Sequence, residues 1–313
     1  MPEWLVERGI GETRFALIEG GRIVEARILR EGVVPAGTVL TARLIAIGRN
    51  AVARADDEEY LLPKGAPGLT EGAALSVEVT REALAGAEPW KRPLARVTDE
   101  APRPMPPIEG RLLPFPPTDD ELERAGWSDL LDEARSGIIA FPGGELRVCP
   151  TPAMTLIDVD GTLDPEMLAM AGARAAAAAI RRHGIGGSIG IDLPTIGGKA
   201  ARQAVAEAVD AILAQPYERT AVNGFGFLQI VRPRRFASLF ELATDRASFE
   251  ARALLRRAAR EVGAIRLAAH PAVIAALDAR PDWLDRLSRQ VGGAVGLRED
   301  PSLGMVGAYA EPA

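Results

Sequence analysis

Asp158, Asp160 and Asp192 are the side chains of this sequence best spaced for chemistry, since each carboxylate stands at the end of a short apolar run. Asp158 follows Met154–Ile157, and Asp192 follows Ser188–Ile191. Carboxylates brought together at neighbouring strand ends repel one another unless a cation lies between them. A hard divalent ion with oxygen ligands, Mg²⁺ or Mn²⁺, suits that donor set, with Asp158 and Asp192 as its ligands. Such an ion polarises a phosphoryl oxygen and makes a bound water more acidic. Asp160 lies two residues beyond Asp158, on the same side of an extended strand, available as a further ligand or to orient water. The competing reading is that each aspartate merely caps a helix. Asp164 fills that role better for the first helix, because it directly precedes Pro165 at a first helical position.

The segments around these residues alternate in type. Strands are expected over 145–150, 154–159, 188–192 and 221–231, with helices over 164–183 and 199–215. That order implies a parallel or mixed sheet covered by helices. A right-handed crossover through the first helix makes the strands of Asp158 and Asp192 parallel neighbours, with both carboxylates at the carboxyl end where sites gather. Beyond residue 248, two helices and two strands form a small α/β appendage.

Ahead of this region, residues 1–98 hold short apolar runs separated by glycine, including the hairpin signal Glu19-Gly20-Gly21-Arg22. Several short strands at this spacing suggest one small OB-like barrel. Residues 99–120 contain seven prolines, which fix φ and remove backbone donors, so a linker is expected there, followed by a short helix over 119–134. The fold class is therefore α/β (α+β, multidomain): an OB-like β domain over 1–98, a proline-rich linker over 99–136, an α/β domain over 137–247 and a small α/β domain over 248–313.

Composition narrows the partners. At 47% hydrophobic and 26% charged, the sequence is that of an ordinary globular protein, and its longest apolar run, 175–180, is far too short to span a bilayer. Met1-Pro2-Glu3-Trp4 lacks the basic start and apolar stretch of a signal peptide, so no membrane partner and a cytoplasmic location are expected. A net charge of −6 argues against a protein that coats nucleic acid everywhere, but not against a local basic groove. Arg232, Arg234 and Arg235 cluster after the strand that follows the acidic ones. They are placed to neutralise backbone phosphates or to form a solvated strand end. With aromatics at 5%, base stacking is not expected to be a major source of affinity. Cys149 is the only cysteine; it is expected to be buried and inert, and it rules out a multi-cysteine zinc site within one chain.

Two resemblances follow from longer stretches. Asp158-Val159-Asp160-Gly161-Thr162 looks like the opening motif of haloacid-dehalogenase-type phosphatases, in which the first aspartate is a nucleophile. That family also needs an acidic pair after a later strand, which the sequence does not supply. The second resemblance covers nearly the whole chain. Gly143–Val148, Thr155–Asp160, Ala178–Arg182, Gly184–Asp192, Arg219-Thr220, Phe225-Gly226 and Arg232-Pro233-Arg234 resemble, in this order, the nuclease domain of the ribonuclease E/G family. Ile10–Gly20 is similar to that family's opening segment, Val77–Ala83 to a strand of its S1 domain, and 249–300 to its small C-terminal domain.

The resemblance implies a Mg²⁺-dependent endoribonuclease acting on single-stranded RNA, with 5′-phosphate and 3′-hydroxyl products. It implies Asp158 and Asp192 as the magnesium-binding aspartates. Asp160 stands where the family usually has an asparagine, and Gly161 replaces a serine. Lys91, beside Trp90, lies near an RNA-contacting lysine, while the family's stacking aromatics have no counterpart near 51–55. Residues 99–136 are too short for the ribonuclease-H-like and 5′-end-sensing subdomains of larger relatives, and the paired-cysteine zinc link is absent. A compact member with no zinc-linked tetramer is therefore expected, with a homodimer left open. The alternatives are a non-catalytic RNA-binding relative and the phosphatase.

Overall fold

The computed structural model describes residues 2–84 and 91–313, which divide into two compact units. The first unit is assembled from residues 1–31, 109–128 and 242–313. Its first sheet holds β1 (Glu3–Arg8), β2 (Glu12–Glu19) and β3 (Arg22–Arg30) as an antiparallel meander.

In the second unit, residues 32–108 form a closed barrel of β4 (Val39–Ala46), β5 (Ala51–Ala55), β6 (Glu58–Leu62), β7 (Ala74–Arg81) and β8 (Leu94–Thr98). Alternation supplies its core, with Leu44, Ala53, Tyr60, Leu62, Val77 and Val79 turned inward. The expectation of one barrel over residues 1–98 is corrected here. Strands β1 to β3 pair among themselves and with β9 (Arg111–Leu113), which lies parallel to β1 inside the stretch expected to be an unstructured linker. Proline content did not prevent this, because Gly110–Leu113 carries none.

Two short helices follow, α1 (Glu121–Arg124) and α2 (Trp127–Ser136), in place of the single one expected. Gly126, at φ +94°, separates them.

Then comes the six-stranded sheet of the second unit. It holds β10 (Ile138–Phe141), β11 (Gly144–Pro150), β12 (Thr155–Gly161), β13 (Gly187–Asp192), β14 (Glu218–Arg219) and β15 (Phe227–Arg232), in the order β10-β11-β12-β13-β15-β14. The sheet is mixed, and β12 with β13 is its parallel pair, the other neighbours running antiparallel. Helix α3 (Pro165–Arg182) is the crossover between β12 and β13 and packs on one face, with α4 (Lys199–Asp210) alongside it. Gly172 lets α3 approach, since a Cβ there would lie 2.3 Å from Val159 Cγ1.

The rest of the chain brings α5 (Leu239–Thr244), α6 (Arg246–Ala258), β16 (Ile265–Ala269), α7 (Pro271–Asp278), α8 (Pro281–Val291), β17 (Val295–Glu299) and β18 (Tyr309–Pro312). In the first unit, β17-β16-β18 form a sheet whose core includes Leu254, Leu267, Val273, Leu277, Trp283 and Leu287. His270 caps α7, its Nδ1 accepting from the Ala272 amide at 3.1 Å, a purely structural use of that ring. No helix among the described residues is long and apolar enough to cross a membrane.

Candidate functional site

Strand β12 alternates strictly. Thr155, Ile157 and Val159 are buried towards α3, so Leu156, Asp158 and Asp160 stand on the open face. In the parallel pairing of β12 with β13, Asp158 is the register partner of Asp192, and Leu156 of Gly190. Adjacent strands lie about 4.8 Å apart, so the two carboxylates leave the same sheet face as direct neighbours. Three acidic side chains thus share one patch at the carboxyl ends of two parallel strands. Both features come from the α3 crossover, which brings β13 back parallel to β12.

The electrostatics agree with the geometry. Partial burial, then Asp160, then Asp192 push the Asp158 carboxyl above its ordinary range, and Arg147 opposes them. Arg147 stands on β11 as the register partner of Asp158. Its guanidinium is half-exposed, with Nη2 2.8 Å from Glu145 and Nε 3.8 Å from Asp160. Among the described residues, no group of three or more His, Cys, Asp or Glu side chains is arranged to hold a metal. A cation here would therefore rest on two carboxylates and complete its shell with water and substrate oxygens. That donor set fits Mg²⁺, which keeps several waters and commonly takes only one or two protein carboxylates. The register pairing of Asp158 with Asp192 is the second mark of fit, since like charges on neighbouring strand ends are what a cation would relieve.

A turn beside Asp192 adds a feature that the sequence reading did not assign to the site. Phe227 is the register partner of Asp192, and the Asn223 side-chain oxygen accepts from the Phe225 and Phe227 amides at 2.9 and 3.0 Å. Gly226, at φ +93°, packs so closely that a Cβ would lie 2.1 Å from the Leu193 carbonyl oxygen. Thr195 Oγ1 donates to the Phe225 carbonyl at 3.2 Å. The turn thus pins Phe225 next to the loop that follows Asp192, with its ring 84% exposed. The sequence signals were the pair Phe225-Gly226 and the outward position of Arg147 on β11. Neither could be tied to the carboxylates without the strand register.

The basic cluster lies elsewhere. Arg232 is the register partner of Gly187, at the opposite end of β13 from Asp192. Five residues of strand separate the two ends, roughly 17 Å. Arg232 donates to the Ile185 carbonyl at 3.2 Å, and Arg234 pairs with Glu241. Arg235 is exposed and has no side-chain ion pair among the described residues. The three arginines and the carboxylates are therefore not brought together. Lys91 is half-buried just before β8, and Trp90 lies outside the described residues.

Two further expectations change. Cys149 is exposed rather than buried, because Leu146 and Val148 take the inward positions of β11 and turn it to the open face. Asp164 occupies the cap position of α3, but its side chain makes no capping hydrogen bond. Strand β15 runs antiparallel to β13, so its carboxyl end points away from Asp158 and Asp192. Among the described residues, β15 thus adds no acidic strand end after Asp192 beside the Asp158 motif, of the kind a dehalogenase-type phosphatase needs. No family model matches the chain, and no curated protein matches it.

Proposed function

We propose that this chain is a metal-dependent endoribonuclease of the ribonuclease E/G type, cleaving single-stranded RNA to leave 5′-phosphate and 3′-hydroxyl ends. The observation that carries this reading is the register pairing of Asp158 with Asp192 on the open face of the sheet, with Asp160 beside them. In this reading Asp158 and Asp192 hold Mg²⁺, with Mn²⁺ as a substitute, and no zinc is involved. When bound, the ion supplies Lewis acidity towards a non-bridging phosphate oxygen and lowers the pKa of water.

The chain's own residues then have separate tasks. Asp160, whose carboxylate is 62% exposed, is positioned to orient the attacking water and accept its proton. Arg147 offers a guanidinium to the same phosphate, and the exposed Phe225 ring offers a stacking surface to a neighbouring base. Water adds to phosphorus, giving its proton to Asp160, as the bond to the 3′ oxygen breaks, and that oxygen takes a proton from solvent to leave as a hydroxyl. Arg232, Arg234 and Arg235 belong, in this account, to a more distant stretch of the strand.

We read the barrel as an S1/OB-like module. Its order around the closure, β4-β5-β6-β8-β7, with β6 and β8 parallel, is that of a five-stranded Greek key. Tyr60 is 1% exposed, so it serves the barrel core rather than RNA. In this reading most of the RNA affinity lies outside the module, and the weak provision for stacking on β5 and β6 supports that assignment. Incubation of the purified chain with an AU-rich oligoribonucleotide, in Mg²⁺ or EDTA, tests the proposal. Shortened products with 5′-phosphates in Mg²⁺ alone support it. Release of inorganic phosphate without shortening would instead favour the phosphatase, and binding without cleavage the non-catalytic relative.

A further inference from the structure

The first unit contains a cleft of about 320 Å³ lined by Arg8, Gly9, Ile10, Phe115, Arg286, Arg289 and Gln290. We infer that it is a binding pocket for a nucleoside monophosphate, with the arginines holding the phosphate and Phe115 packing against the base. This goes beyond the ribonuclease reading and does not depend on it.

Charge is the first argument. Three guanidiniums line the cleft; Glu31 balances Arg286, and the two without an ion pair among the described residues, Arg8 and Arg289, match a phosphate dianion in charge. Arg286 is held in place, Nη1 lying 2.7 Å from Glu31 and Nη2 donating to the Gly9 carbonyl at 3.1 Å. Arg8 and Arg289 are both exposed and have no ion pair among the described residues. Planar guanidiniums of this kind match phosphate oxygens in pairs.

The wall of the cleft supplies the second argument. Behind Gly9 lies Arg14, 1% exposed, and a Cβ added at Gly9 would come 2.6 Å from its Nη1. The same guanidinium sits 6.0 Å from the Phe115 ring centroid. Its Nη2 is buried with no hydrogen-bond partner. Arg14 is itself balanced by Glu7 and Glu12, so it backs Gly9 and Phe115 as a fixed wall, while the charge of the cleft comes from the guanidiniums that line it. Phe115 is partly buried against the core, which fixes its ring as a rigid surface for a planar base, and Gln290 provides an amide for the base edge.

The test is calorimetric titration of the full chain, without Mg²⁺ and with EDTA present, using AMP, adenosine and inorganic phosphate. AMP should bind saturably, inorganic phosphate should compete with it, and adenosine should bind at least tenfold more weakly. The double variant Arg8→Gln/Arg289→Gln, altered only at exposed positions, should lose at least tenfold in AMP affinity, about 1.4 kcal/mol. Phe115→Leu should weaken AMP and leave phosphate unchanged. No saturable AMP binding up to roughly 10 mM, or an unaltered affinity in the double variant, would overturn the assignment. A hexaribonucleotide lacking terminal phosphates separates the two sources of the ligand. If it displaces AMP, the pocket takes strand phosphates; if AMP stays bound, the pocket takes free nucleotides.

Discussion

Glu7 is fully buried in the first unit and accepts from Arg14 Nη1 at 2.6 Å and from Arg256 Nε and Nη2 at 2.9 and 3.2 Å. The perturbation is Glu7→Gln, which keeps the shape, removes the charge and points an amide donor at guanidinium donors. Arg14 would keep Glu12, 2.6 Å from its Nε, and Arg256 would keep Asp120, 2.7 Å from its Nη2. Breaking a buried ion pair costs about 3–5 kcal/mol. Each arginine keeps one carboxylate, so the lower end applies, about 3 kcal/mol. At about 1.4 kcal/mol per tenfold change, that is roughly a hundredfold in the local opening equilibrium. Native-state hydrogen exchange of β1, β2 and α6 amides reads this directly, with β12 and β13 in the other unit as internal reference. Arg124→Gln removes the exposed pair with Asp119 and should change exchange by less than about threefold. A Glu7→Gln effect as small as that control would mean that the network is solvated rather than buried.

Three further outcomes follow. Burial holds the fully buried His183 below its ordinary 6.5, although Glu133, 2.8 Å from Nε2, pulls the other way. The unfolded chain therefore takes up a proton that the folded ring refuses, so this contribution is complete above pH 6.5 and is lost as the pH falls below it. His183→Gln should flatten urea stability between about pH 7 and 5.5, and an unchanged slope would contradict the assignment. Gly172→Val would drive a side chain into Val159 and should cost about 1–3 kcal/mol in thermal unfolding, while a variant as stable as the parent would mean α3 does not pack as described. Arg235→Gln should lower the log–log salt slope of RNA binding by about 1, whereas Arg234→Gln should act mainly on stability; equal slopes for Arg235→Gln and the parent would remove Arg235 from the interface.

Local pattern made the six-stranded α/β half of the fold readable. The apolar runs before Asp158 and Asp192, and the helical stretch between them, led to a parallel pair with both carboxylates at strand ends, and β12 and β13 pair in that way. An alanine-rich helix marks its inner face only weakly: in α3, Gly172, Ala173, Ala176 and Ala177 are buried, while Ala171 and Ala175 are half-buried. The N-terminal strands looked like barrel strands because a strand's alternation does not name its partner. Only long-range pairing of β1 with β9 separates them from the barrel. Residues 221–231 were read as one strand, but the Asn223–Gly226 turn breaks it and exposes Phe225. Arg147 was missed for the same reason as Phe225, since its place beside Asp158 depends on the β11 register.

In the proposed function, Asp158 and Asp192 act together in metal-assisted RNA cleavage. The most direct measurement is the cleavage rate of one fluorescent single-stranded oligoribonucleotide by the parent chain, Asp158→Asn and Asp192→Asn, at matched circular dichroism spectra and saturating Mg²⁺. The expected result is a cleaving parent, silenced by EDTA, and the loss of cleavage in both variants, because one of two ligands is removed from a site that stabilises developing charge. A near-parental rate in either folded variant, or cleavage by the parent that persists in EDTA, would contradict it.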